Sequence, residues 1–204
     1  MLIFISGGVR SGKSSLGERL AAQYAPEGRK VYLATTRAYD REMKRRILRH
    51  RQDRAGKGFV TLEADRAVGN VTDSLYSSDT VLLDCLGALA SNEMFGASYV
   101  SQAASTADAL ADTIFDGIMR LNSAVSTLII ISNEVFSDGA DYDAMTLDYI
   151  RLMGLLHRRL AAASDIAVEC AAGCYITHKG ELNVTGTTGL VFPMAGRRRG
   201  RPLH

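Results

Sequence analysis

Net charge, cysteine and long apolar runs are all scarce in this chain. Its 24 lysines and arginines stand against 22 aspartates and glutamates, a formal charge of +2. So small an excess gives no argument for wholesale binding to nucleic acid or to a membrane surface. The cysteines, Cys85, Cys170 and Cys174, are odd in number and include no Cys-x-x-Cys pair. That pattern argues against a disulfide framework and against a zinc site, and it suits a reduced, cytoplasmic compartment. Cys170 and Cys174 are expected in or beside a buried strand, as small hydrophobes. The opening "MLIFISGG" has a short apolar run and no basic n-region, so it does not read as a signal peptide. "TLIIIS" stops far short of a membrane span, and no internal repeat is visible.

What the chain does have is a core. Apolar residues make up 47% of 204 positions, enough for one sizeable α/β domain and short for two. The runs "LIFIS" (2–6), "KVYLAT" (30–35), "TVLLDC" (80–85), "TLIIIS" (127–132) and "IAVECA" (166–171) read as strands apolar on both faces. A parallel sheet covered by helices on each side demands such strands. "CYITH" (174–178) follows across one glycine-containing turn and is expected as an antiparallel strand at one edge. Helical spacing appears over Lys13–Tyr24, Arg41–Asp53, Ala107–Leu121 and Ala144–Ala163. This alternation predicts a three-layer α/β fold with right-handed crossovers. The domain is expected to span residues 1–178. Residues 179–204, rich in Gly, Thr and Arg, read as a loosely structured extension with one weak hairpin and a basic tail.

The strongest local signal is "ISGGVRSGKSS". Gly7, four residues, Gly12, Lys13 and Ser14 fit the phosphate-binding pattern G-x-x-x-x-G-K-[ST], with a strand before it and a helix after it. Glycines let successive N–H groups turn inward toward phosphate oxygens. The helix beginning near Lys13 points its positive end at the same charge. The loop Gly7, Gly8, Val9, Arg10, Ser11 and Gly12 is therefore expected to cradle the phosphates of ATP or GTP, with Lys13 neutralising them. The Ser14 hydroxyl is expected to serve Mg2+. Such a loop usually works with an acidic residue at the end of another buried strand, and Asp84 in "TVLLDC" is the candidate second magnesium ligand. Glu134 in "ISNEV" stands just past another strand, where ligands bind in such sheets. Thr35 and Thr36, at a strand's carboxyl end, either line the nucleotide site or simply close the strand by hydrogen bonds.

"DREMKRRILRHRQDR" is the second unusual stretch. Met43, Ile47 and His50 fall at i, i+4 and i+7, so the histidine shares a face with apolar residues, among Arg46, Arg49 and Arg54. Taken alone this is a solvated basic helix. Beside a nucleotide site, its arginines gain a use as phosphate clamps. Neighbouring cations also keep an imidazole neutral and nucleophilic. A basic helix that touches RNA or DNA is another reading, though no interleaved aromatic residues support one.

Taken in order, "ISGGVRSGKSS", "VYLATT", "DREMKRRILRHRQDR", "VLLDCLGALASN", "IIISNEV" and "RLAAASDIAVECAAG" resemble one family over roughly residues 1–175. It is the bifunctional adenosylcobinamide kinase / adenosylcobinamide-phosphate guanylyltransferase family of cobalamin biosynthesis. The resemblance implies a P-loop NTPase fold and two reactions on a corrinoid. A nucleoside triphosphate phosphorylates the aminopropanol hydroxyl of adenosylcobinamide, and GTP then gives GMP to that phosphate, yielding adenosylcobinamide-GDP. It also implies that His50 carries GMP as a phosphoramidate, with Arg49 and Arg54 as clamps, and that the protein forms a homotrimer. The chain departs from the family's pattern after "NEV", where it has Phe136 and no proline, and at His157-Arg158, which replaces an Asn-Gln pair. A kinase with only one of these activities, and a nucleic-acid-associated P-loop ATPase, are the alternatives.

Overall fold

The structure is a computed structural model. It describes residues 1–37, 45, 56–96, 107–135, 142–184 and 191–193. Along the chain run β1 (Leu2–Gly7), α1 (Lys13–Tyr24), β2 (Lys30–Ala34), β3 (Phe59–Glu63), a 3-10 helix (Val68–Ser74), β4 (Thr80–Asp84) and α2 (Leu86–Met94). They continue with α3 (Ala107–Ala124), β5 (Thr127–Asn133), α4 (Ala144–Ala163), β6 (Ile166–Ala171), β7 (Cys174–Lys179) and β8 (Val191–Pro193).

The described strands form one eight-stranded sheet in the order β3-β2-β4-β5-β1-β6-β7-β8. From β3 to β6 every neighbour is parallel. β7 returns antiparallel to β6, as the sequence suggested, and β8 lies outside it, parallel to β7. The expected three-layer α/β fold is therefore present.

Alternation along the strands sends side chains to two separate cores. Leu2, Phe4, Leu128 and Ile130 pack beneath α2, α3 and α4, together with Val68 of the 3-10 helix. Ile3, Ile5, Leu82, Ile129 and Ile131 meet α1 through Leu16, Leu20 and Ala21. Leu16 and Leu20 are fully buried, and each such side chain stabilises the fold by about 1.5–3 kcal/mol relative to exposure. Burial rather than capping therefore holds α1 in place. Its N-cap is Gly12, with no side-chain cap and no acidic residue in the first turn. By contrast α4 is capped by Asp143, whose carboxylate accepts the Thr146 N–H at 2.7 Å. Asp143 lies below the usual carboxylate range because of that bond.

Candidate active site

Parallel strands put their carboxyl ends on one edge of the sheet, so the residues that follow β1, β4 and β5 gather there. Gly7 closes β1 at a close approach. A Cβ there would stand 2.3 Å from the Cys170 carbonyl oxygen and 2.8 Å from the Ser11 hydroxyl, so only glycine fits. The chain then turns through Arg10 (φ 60°) and Gly12 (φ 95°), left-handed positions that aim consecutive N–H groups into the turn. Val9 and Arg10 point to solvent. The first N–H groups of α1 have no helical acceptor and no cap, which leaves them for an anion.

Lys13 sits inside this curl. Only 7% of it is exposed, and its ammonium donates to the Gly8 carbonyl at 2.9 Å. Ser11 is also buried, and among the described residues its hydroxyl has no hydrogen-bond partner. Ser14 is exposed at the mouth of the helix. The loop lies between β1 and α1, with two buried polar groups, Ser11 and Lys13, inside its turn.

Asp84 ends β4 two strands away. Its Oδ2 accepts the Tyr32 hydroxyl at 2.8 Å, and Tyr32 belongs to the α1-side core, so the carboxylate lies on the α1 face. The neighbouring Cys85 thiol feels Asp84 and Lys13 in opposite senses. Burial first, and then Asp84, push that thiol's pKa up, so it stays protonated.

Thr35 closes its strand by hydrogen bonds. It is fully buried, its hydroxyl donates to the Cys85 carbonyl at 2.8 Å, and it accepts the Cys85 N–H at 2.7 Å. Asn92 of α2 donates to the Thr35 carbonyl at 2.8 Å and to the Asp65 carbonyl at 3.1 Å. Together these bonds fix the turn from β4 into α2, a long-range arrangement with no local signature in sequence. Thr36, one residue on, is exposed.

The end of β5 is stitched to the loop. Gly7 is in register with Asn133, and the Glu134 N–H donates to the Gly7 carbonyl at 3.1 Å, while Glu134 itself is exposed. On the other face, Ser132 Oγ and His157 Nε2 of α4 lie 2.7 Å apart, with Phe4 edge-on to the imidazole. Burial pushes His157 down to about 4, so the ring is neutral near pH 7. His50, Arg49 and Arg54 lie outside the described residues.

The donors at this edge suit magnesium. Ser14 and Asp84 supply oxygen atoms only, and Mg2+ binds through one or two protein oxygens together with water and phosphate. Among the described residues no cluster of three or more His, Cys, Asp or Glu forms a closed metal cage. Such a cage is not what a nucleotide-borne Mg2+ uses. No described helix is long and apolar enough to cross a membrane.

Comparison with known proteins converges on one group. A bifunctional adenosylcobalamin biosynthesis protein CobU from Salmonella typhimurium is 29% identical over 171 residues, covering 81% of this chain and 92% of its own. A bifunctional adenosylcobalamin biosynthesis protein CobP from Pseudomonas aeruginosa is 30% identical over 179 residues, covering 87% and 96%. Among solved structures, the flagellar accessory protein FlaH from Methanocaldococcus jannaschii aligns over 88% of this chain and 78% of its own. Its 15% identity and TM-score of 0.44 are too low to argue from. The family model described as cobinamide kinase / cobinamide phosphate guanyltransferase matches residues 3–177. The chain belongs to the cobinamide kinase / cobinamide phosphate guanyltransferase family.

Proposed function

We propose that this protein phosphorylates adenosylcobinamide and then transfers GMP to the product, giving adenosylcobinamide-GDP. The observation that carries the reading is a buried lysine curled inside an uncapped, glycine-built helix entrance, with a carboxylate on the same face two strands away. Groups of this kind bind and polarise a triphosphate. In the first reaction the corrinoid hydroxyl oxygen bonds to the γ-phosphorus, the bond to the bridging oxygen breaks, and the nucleoside diphosphate departs. The hydroxyl proton is released in the same step. Lys13 and the N–H groups of the loop offset the charge that develops on the leaving diphosphate. When bound at Ser14 and Asp84, Mg2+ would supply further charge neutralisation across the phosphates.

In the second reaction His50 attacks the α-phosphorus of GTP and pyrophosphate leaves. An oxygen of the corrinoid phosphate then displaces the imidazole and takes GMP. Arg49 and Arg54 clamp the phosphates, and Glu134 serves as a metal or base partner at the mouth. The arginine-rich surroundings of His50 in the sequence support this role, since neighbouring cations disfavour protonation of the ring. The working unit is a homotrimer in the cytoplasm, with corrinoid and nucleotide as small-molecule partners and no nucleic acid.

The test is incubation with α-32P-labelled GTP without corrinoid. Acid-labile label is expected on His50, and addition of adenosylcobinamide phosphate should chase it into the corrinoid. A His50→Ala variant that still transfers GMP at the parental rate would contradict the covalent route.

A further inference from the structure

The strand order places one more side chain at the phosphates. β5 lies between β1, which feeds the phosphate loop, and β4, which ends in Asp84. Its last residue, Asn133, is in register with Gly7, while Asp84 is in register with Ile131. Ile129 and Ile131 pack against α1, and Ser132 turns the other way to His157. By alternation Asn133 shares the α1 face with Lys13 and Asp84, one step further out along the edge.

Two asparagines of this molecule differ instructively. The Asn92 amide spends its N–H groups on two backbone carbonyls and is buried. Asn133 is half-buried, and among the described residues its carboxamide makes no hydrogen bond. Its backbone, however, is held on both sides. The next residue's N–H is bonded to Gly7, and the preceding Ser132 is braced by His157. A firmly placed backbone with an unspent neutral donor is what a site needs where charge must be recognised without adding a second cation.

We propose that the Asn133 carboxamide N–H binds the terminal phosphate of the nucleoside triphosphate and follows it into the transition state of phosphoryl transfer. Asn133 thereby sets the preference for triphosphate over diphosphate. This inference rests on the kinase reading above. Because diphosphate lacks the group being read, removing the donor weakens triphosphate binding alone. Hydrogen bonds to charged groups are worth about 1.5–3 kcal/mol, which corresponds to roughly tenfold or more in affinity. Loss of one donor from a developing phosphoryl charge lowers the rate about a hundredfold.

The experiment compares Asn133→Ala with the parent by titration calorimetry in Mg2+, using β,γ-methylene-GTP and GDP as probes, beside the rate of γ-phosphoryl transfer to adenosylcobinamide. Expected are an unchanged GDP affinity, a roughly tenfold weaker triphosphate affinity and a transfer rate down about a hundredfold. An unchanged ratio of the two affinities would overturn the proposal, as would equal loss of both. If Asn133→Ala does not fold, the isosteric Asn133→Asp decides by the same ratio, since a carboxylate there should repel the triphosphate more strongly. If the parent binds both probes but never phosphorylates the corrinoid, the kinase reading fails while the affinity ratio still judges Asn133.

Discussion

At the carboxyl edge of the sheet, some polar groups on the α1 face keep hydrogen-bonding capacity among the described residues, whereas those behind them have used it. In front, Lys13 bonds a carbonyl of its own loop, and among the described residues neither the Ser11 hydroxyl nor the Asn133 amide has a partner. Behind, Thr35 and Asn92 lock the β4–α2 turn, and Ser132 is paired with a neutral His157. The two faces carry similar residue types with opposite assignments. Under the proposed function, chemistry belongs to the groups left with hydrogen-bonding capacity, and positioning belongs to those that have used it.

The sharpest way to break this contrast is at its most charged point. Lys13→Ala should lower γ-phosphoryl transfer on the order of 10²–10³-fold while leaving the far-UV circular dichroism of the folded protein in place. A parental rate would show that the front face is not the site. Next in size is a titration on the rear face. His157 is neutral in the fold because burial disfavours its charged form, and its pKa falls to about 4 from 6.5. The unfolded chain therefore binds more protons between these values, so the stabilisation is fully present above about pH 6.5 and is lost as pH falls toward 4. The whole effect is on the order of 3 kcal/mol. Urea unfolding of His157→Asn should show a flatter decline from pH 7 to pH 5 than the parent, and parallel declines would refute the assignment.

A smaller effect is expected from Thr35→Val, which preserves shape and leaves the Cys85 N–H without its acceptor. Unfolding free energy should fall by about 1–3 kcal/mol, with nucleotide affinity of the folded protein unchanged. A loss of affinity without a loss of stability would move Thr35 to the front face. The smallest effect belongs to an exposed surface pair. Arg151 and Asp108 pair across the exposed surface of α4 and α3, and Asp108→Ala should cost no more than about 1 kcal/mol in the same urea assay.

Much of the front face was legible because its determinants are local. The phosphate loop, the bounds of α1 and α4 and most of the inner strands follow from spacing within a few residues. β3 was missed because "FVTLE" is five residues at a sheet edge, with an exposed valine and no strong alternation. α2 was missed because "LLDCLGALAS" runs from strand to helix with no proline and no side-chain cap to mark the change. The rear network was out of reach for another reason. Thr35 with Cys85, and Ser132 with His157, join residues 50 and 25 positions apart. Asn133 becomes significant only once strand order sets β5 between β1 and β4. His50, Arg46, Arg49 and Arg54 of the basic stretch lie outside the described residues, so sequence alone supports them.

The front face is tested most directly with γ-32P-labelled triphosphate, adenosylcobinamide and three proteins in parallel. Label should pass to the corrinoid with the parent and with His50→Ala, and should fail to pass with Lys13→Ala. Equal transfer by the Lys13 variant, or dependence of this first step on His50, would contradict the account.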